Sequence, residues 1–268
     1  MKKIHFVLTA MLLSTLLYSC KKNGVQEIDQ IIDPSTPQIK YFNFGVNAPS
    51  VNFYANSVKV SGITSATGIE STSGVISGSV YPSSNYSLQS AGVYVFKAQL
   101  PSTLTTDANL AINTTNATLE NSKFYSFYLC GLYNTTAKSA DAFIIEDKLP
   151  APDYNVAYVR FINTVPNAAA ALNLYVHNTQ APAGTDILLT PAAVAYKGVS
   201  DFVAVPIGTY ELYARYPSSA TVNIISRNGT NTVAFAGGKV YTIGSRGDIT
   251  ITSPTATNRP QLDNTANR

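Results

Sequence analysis

Residues 92–102 read GVYVFKAQLPS and residues 208–218 read GTYELYARYPS. The shared pattern is Gly-x-Tyr-x-apolar-x-Ala-x-x-Pro-Ser. In the first stretch Tyr94, Phe96 and Ala98 alternate with Val95, Lys97 and Gln99. In the second, Tyr210, Leu212 and Ala214 alternate with Glu211, Tyr213 and Arg215. A period of two is that of a β-strand, whose successive side chains point to opposite faces. The same phase is apolar in both stretches, so that phase is predicted to face a core.

The match extends outward at a near-constant offset. Lys123-Phe124-Tyr125-Ser126-Phe127 falls on Lys239-Val240-Tyr241-Thr242-Ile243, and Gly131 falls on Gly247. Ser84-Asn85-Tyr86 falls on Ser200-Asp201-Phe202. NFGVNAPSVNFY from Asn43 parallels NTVPNAAAALNLY from Asn163, with one insertion. Similar segments in the same order predict two homologous domains, 38–148 and 154–253, joined by a Pro-rich connector at 149–153. Each domain reads as short Val-, Ile-, Tyr-, Phe- and Thr-rich runs between Gly, Pro, Asn and Ser clusters. Strands are expected at 39–45, 51–56, 92–99, 123–130, 141–146, 157–163, 172–177, 208–215, 221–226, 231–235, 239–244 and 248–252. No segment carries a helical period. The fold class is therefore all-β, with two antiparallel sheets packed as a sandwich in each domain. The 254–268 tail is polar and expected to be disordered.

Residues 1–20, MKKIHFVLTAMLLSTLLYSC, have a different character. Lys2 and Lys3 precede an apolar run too short to span a bilayer, which is the layout of a secretory signal. Leu17-Tyr18-Ser19-Cys20 resembles the lipobox of bacterial lipoproteins. That resemblance implies removal of residues 1–19 and a lipid on Cys20, which would attach the chain to a membrane outside the cytoplasm. Residues 20–37 then form a lipidated cysteine and a polar tether. Extended, the tether would reach about 60 Å at roughly 3.3 Å per residue. Lys21 follows the cysteine in place of an inner-membrane retention Asp, which favours the outer membrane, on its periplasmic or its surface side.

Without the signal, basic residues number 16 against 15 acidic. So even a balance leaves no electrostatic footprint for nucleic acid. Charged residues make up 12% of the chain, so Ser, Thr, Asn and the 17 tyrosines must cover much of its surface. With Cys20 lipidated, Cys130 is alone, has no disulfide partner, and is expected to be a buried inert thiol in a strand. A monomer is expected.

The second domain is similar to the family called domain of unknown function 4397. Arg160, Asn163, Pro166, Asn167 and Ala168 carry its R-x-x-N-x-x-P-N-A start. Tyr196, Val199, Ser200, Phe202, Val205, Pro206, Gly208 and Tyr210 carry its middle motif. The first domain keeps Asn43, Asn47 and Ala48, with Val46 in place of the proline, and is a degenerate relative. The resemblance implies two tandem immunoglobulin- or transthyretin-like β-sandwiches in an envelope lipoprotein. It brings no activity and no functional residues.

Candidate chemistry is sparse. Once the signal is removed, His177 is the one histidine left, which excludes sites that need two. Glu146, Asp147 and Asp153 flank the domain junction, where oxygen ligands could hold calcium, but a solvated linker is the simpler expectation. A hydrolase built on a carboxylate pair requires two such groups in one groove, about 5–9 Å apart. No cofactor is expected. Tyr213 and Arg215 share the outward phase of their strand and are the tentative surface-binding residues. These features predict a non-catalytic module that binds an envelope protein or glycan. The alternative is a structural spacer with no ligand. Clustering or scattering of exposed aromatics discriminates the two.

Overall fold

A computed structural model describes residues 35–62 and 72–268. The export signal, Cys20 and nearly all of the tether lie outside the described residues. Ser35–Arg268 forms one compact unit. Among the described residues its regular structure is strand, apart from one 3-10 turn at Gly229–Asn231.

The first half of this unit contains β1 (Gln38–Asn43), β2 (Asn52–Ala55), β3 (Val58–Lys59), β4 (Ser79–Tyr81), β5 (Ser87–Leu88), β6 (Gly92–Gln99), β7 (Ala111–Leu119), β8 (Phe124–Asn134) and β9 (Ser139–Glu146). The second contains β10 (Val156–Asn163), β11 (Asn173–Asn178), β12 (Ile187–Leu188), β13 (Val203–Pro206), β14 (Gly208–Arg215), β15 (Ile225–Arg227), β16 (Val233–Phe235), β17 (Val240–Arg246) and β18 (Gln261–Ala266). Sheets β4-β1-β8-β9 and β3-β2-β6-β7 build the first half. Sheets β13-β10-β17-β18 and β12-β11-β14-β15 build the second, with β5 also pairing with β1 and β16 with β14, so the two halves share one strand order and differ at the edges.

The sheets are not all antiparallel. β1 pairs parallel with β8, Tyr41 opposite Phe127, and β10 pairs parallel with β17, Phe161 opposite Ile243. In each half the chain leaves its central strand, builds the opposite sheet, and returns in its original direction. A parallel pair requires a long crossover of that kind.

Each half encloses its own core between its two sheets, as the apolar phase predicted. Ile39, Tyr41, Phe53, Phe96, Ala98, Phe127 and Leu129 fill the first, where the Tyr41 and Phe53 rings stack at 5.1 Å. Val159, Phe161, Leu174, Tyr210, Leu212, Phe235 and Ile243 fill the second. Burying such side chains contributes roughly 1.5–3 kcal/mol each and is the main force holding each pair of sheets together.

The opposite faces of β1/β8 and β10/β17 are also buried, because the two halves pack on each other through them. Phe42, Phe44, Tyr128 and Ile162 form this apolar seam, with the Phe42 and Tyr128 rings stacked at 4.3 Å. The second half contributes Gly244, where a Cβ would stand 2.8 Å from Cε2 of Phe44. Bulk on one side thus meets a missing side chain on the other.

Beside the apolar seam lies a buried polar one. Arg160 pairs with Asp147 through Nη2 and donates Nε to Thr242 Oγ1 at 2.9 Å. The second Asp147 oxygen accepts from Tyr86 Oη and Ser126 Oγ, each at 2.7 Å. Lys40 Nζ donates to the Ala266 carbonyl at 2.7 Å, and Asn267 Nδ2 to Tyr86 Oη at 2.6 Å. The arrangement is quasi-symmetric. Lys40 reaches the last strand of the second half and Arg160 the residue that follows the last strand of the first, and each lies over an aromatic ring of its own half: Lys40 over Tyr86 at 5.1 Å, Arg160 over Phe202 at 4.6 Å.

Three expectations are corrected. The tail is not disordered: Gln261–Ala266 is β18, hydrogen-bonded along β17 from Arg246 to Tyr241. Leu262 and Thr265 are buried, which anchors an otherwise polar edge strand. Residues 248–252 are not a strand. Gly247 at φ 104° turns the chain, and Asp248 Oδ1 accepts from the Thr250 amide at 2.9 Å, making a side-chain-closed turn. Asp147 is not the solvated linker residue expected, since it is buried in the seam.

Candidate functional site

The candidate pair sits on β14. Tyr213 and Arg215 point away from the second core, as their phase predicted, but they are covered. Tyr213 is 9% exposed and Arg215 5%. Arg215 lies between two rings, 4.6 Å from the Tyr175 centroid and 5.1 Å from Tyr213. It also pairs with Asp186 and donates to Asn223 Oδ1 and the Ala220 carbonyl, both at 2.6 Å. The chain around Asp186 and Ala220 therefore closes over a face that strand phase alone leaves open. The expectation of an exposed pair is corrected on that ground. A guanidinium that already has an acid, an amide and a carbonyl has little left for a ligand.

The same face gathers residues that the sequence left apart. His177 on β11 lies opposite Glu211 on β14, and its Nδ1 is 3.2 Å from Asp186 Oδ1. Glu211 accepts from Tyr213 Oη at 2.5 Å and from the Gly229 amide at 3.0 Å, and these donors hold its carboxyl below its ordinary value. The corresponding face of the first half is plain. There Val93, Val95 and Lys97 lie opposite Thr118, Asn116 and Thr114 of β7. A direct signal existed for the difference: the outward phase of β14 holds Glu211, Tyr213 and Arg215, and that of β6 holds Val93, Val95, Lys97 and Gln99.

The remaining candidates are structural. Cys130 is buried, its Sγ is 3.5 Å from Tyr196 Oη, and burial pushes the thiol up to about 12. That disfavours the reactive thiolate. Of the junction carboxylates, Asp147 is engaged by Arg160, Tyr86 and Ser126. Glu146 faces Lys123 at 3.1 Å, and Asp153 accepts from the Asn155 amide at 2.9 Å. Each has a partner of its own, and they do not converge on a common point. Lys123 also contacts Glu120 at 3.0 Å, so these two carboxylates share one exposed cation.

The motif residues prove to be fasteners. Asn163 Nδ2 donates to the Val194 carbonyl at 3.0 Å, and its Oδ1 accepts from the Val165 amide and Ser245 Oγ, each at 3.0 Å. Asn43 does the equivalent in the first half, donating to the Val75 carbonyl at 2.9 Å. Ser200 Oγ accepts from the Phe161 amide at 2.9 Å, and Asn167 Nδ2 donates to Asp248 Oδ1 at 2.8 Å. Tyr210 Oη returns to the Pro206 carbonyl at 2.9 Å, and Tyr94 Oη to that of Ser90 at 3.0 Å. Arg160 is one of the two buried cations of the seam.

A family described as a domain of unknown function, DUF4397, matches residues 37–175. The chain belongs to the DUF4397 family. The match takes in the first half and the opening of the second, whereas the motif residues singled out from the sequence lie mainly in the second. No curated protein matches this DUF4397 chain. Among solved structures, the Bacillus anthracis TIE protein is similar at 13% identity and a TM-score of 0.22, over 79% of this chain and 34% of that one. A leucine-rich repeat protein from Bacteroides thetaiotaomicron is similar at 11% identity and a TM-score of 0.21, over 80% and 26%. The DUF4397 chain thus spans about a third and a quarter of those two proteins.

Proposed function

We propose that this is a non-catalytic lipoprotein of the cell envelope, held to the outer membrane by a lipid on Cys20, that presents a rigid binding module to a polar envelope ligand. In this reading the two halves are tandem immunoglobulin- or transthyretin-like sandwiches that arose by duplication. Matching strand orders support that, as do the paired tyrosines whose hydroxyls turn back on an upstream carbonyl, a device that fastens corners in immunoglobulin-like folds.

The observation that carries a binding role is the divergence of the two outer faces. One fold is used twice, yet one half bears valines, threonines, Tyr54 and Lys97 there and the other an Arg–Tyr–carboxylate network. A passive spacer has no need of that difference. The ligand is polar in this reading because exposed aromatics do not form a patch. Among the described residues Tyr154, 80% exposed, is the one aromatic side chain left open to solvent. The same scattering favours the second reading, a spacer with no ligand, since protein partners usually dock on clustered aromatic anchors.

Two experiments test the proposal. Cys20→Ser should abolish fatty-acid labelling and normal processing in cells; label retained in that variant refutes the anchoring. The full chain should retain specific envelope glycans or proteins above background. A screen returning none favours the spacer.

A further inference from the structure

The two halves differ in a second place, at the side where their sheets end. In the first half the edge strands β7 and β9 lie against each other, with Asn113 Nδ2 donating to the Ala140 carbonyl at 2.9 Å. β7 is a continuous strand of 9 residues. In the second half the corresponding edge is broken into β15 and β16 by the turn at Gly229–Asn231. The strands equivalent to β8 and β9 are also joined differently, by the long 247–260 loop instead of a tight hairpin. Between β15, that loop and β18 a cleft of about 440 Å³ opens, a size typical of small-ligand pockets.

Its walls carry two guanidinium groups. Arg227 uses Nε and Nη1 on the carbonyls of Asn231 and Leu262, both at 2.9 Å, and Arg259 uses Nη1 on the Ala256 carbonyl at 2.9 Å. Among the described residues neither meets an acidic side chain. Asp263, the one carboxylate in the lining, is paired with Arg246. Arg259 is held in place: its carbonyl lies 2.2 Å from where a Cβ on Gly247 would stand, and Asp248 N donates to the Asn258 carbonyl at 2.9 Å. Asn228, Asn231 and Gln261 add side-chain amides, each donor and acceptor at once. The lining holds no aromatic side chain and its Leu262 is buried, so it offers little that a protein partner would anchor on.

The geometry points to this cleft as a binding site for an acidic sugar, a carboxylate or phosphate on a saccharide ring. The anion takes the free donors of Arg227 and Arg259, where fork geometry suits planar or tetrahedral oxyanions. The ring hydroxyls take the amides. This site rests on the binding-module reading above and names its ligand class.

The test is calorimetric titration of the full chain in detergent with three probes: oligogalacturonate, a hexose phosphate and a neutral cello-oligosaccharide. Binding of either acidic probe, weakening as salt rises, with the neutral sugar far weaker, is expected; the tighter of the two acids identifies the source of the charge. Arg259→Gln should lower that affinity about tenfold or more, and Arg259→Lys should recover part of it, both at unchanged melting temperature. Acidic-sugar binding that survives Arg259→Gln overturns the cleft while leaving a binding module elsewhere. Equal affinity for the neutral sugar overturns the acidic class. No binding of either acid at millimolar concentration overturns the site altogether, and the wider envelope screen then decides whether the module reading falls with it.

Discussion

Asp147→Ala strikes the point where the two halves are joined. The Asp147 and Arg160 side chains are 0% and 3% exposed, so removing the carboxylate leaves a guanidinium without a counter-charge inside the protein. Breaking a buried pair in this way costs about 3–5 kcal/mol. The hydroxyls of Tyr86 and Ser126 lose their acceptor as well, which places the expectation at the upper end of that range. For a unit of this size each kcal/mol shifts the melting temperature by about 2–4 °C, so a fall of roughly 10–20 °C is expected by far-ultraviolet circular dichroism. The double variant Asp147→Leu, Arg160→Met removes both charges and should recover most of the loss, because hydrophobic replacement of a buried pair is often neutral or better. A single variant that melts within about 1 kcal/mol of the parent would refute the buried pair. A single cooperative transition is expected for the parent, since the halves share the seam.

Burial lowers the Lys40 ammonium from 10.5 to about 8, with Asp147 pulling the other way. The unfolded chain therefore holds this proton more tightly, and the group's contribution to stability rises as pH climbs from about 8 towards 10.5, with a constant penalty below that window. Lys40→Met should flatten that rise in melting temperature against pH. Gly244→Val drives a side chain into Phe44 and should cost about 1–3 kcal/mol, read in the same melting assay; no loss would mean the sheets are not in contact there. In a Cys20→Ser chain, where Cys130 is the sole cysteine, a thiol reagent at pH 8 should label nothing until denaturant is added.

What could be read from the sequence follows the burial of each strand. β6 and β14 were predicted at their observed bounds because one phase is apolar and the other is not. β7, AINTTNATL, and β18, QLDNTA, were missed because an edge strand buries few residues and its Thr and Asn look like loop. The 248–252 segment was misread because Ile249 and Ile251 alternate, while the decisive residues are Gly247 and Asp248, which turn the chain. For Tyr213 and Arg215 the phase was legible but the cover was not, since that depends on Asp186 arriving from elsewhere in the chain and on the turn after β14 folding Ala220 back. The seam was the least legible feature. Lys40 and Arg160 look like solvated charges when each strand is considered alone, and only the packing of one half on the other buries them. The cleft was hidden for a similar reason: Arg227 lies between the strands expected at 221–226 and 231–235, and Arg259 lies in the tail expected to be disordered.

The pairing of Lys40 with the Ala266 carbonyl spans 226 positions of sequence, and Asn267 closes on Tyr86 across 181. A chain made from its amino terminus onward therefore finishes its first core long before it can finish the joint that binds the halves. Until residues 261–268 arrive, Lys40 lacks the Ala266 carbonyl and Tyr86 lacks Asn267. Truncation at the end of such a chain is consequently felt at its beginning. A protein cut short before Gln261 would carry an intact first core beside an unfinished joint, which is the kind of defect a protease recognises by what it leaves uncovered.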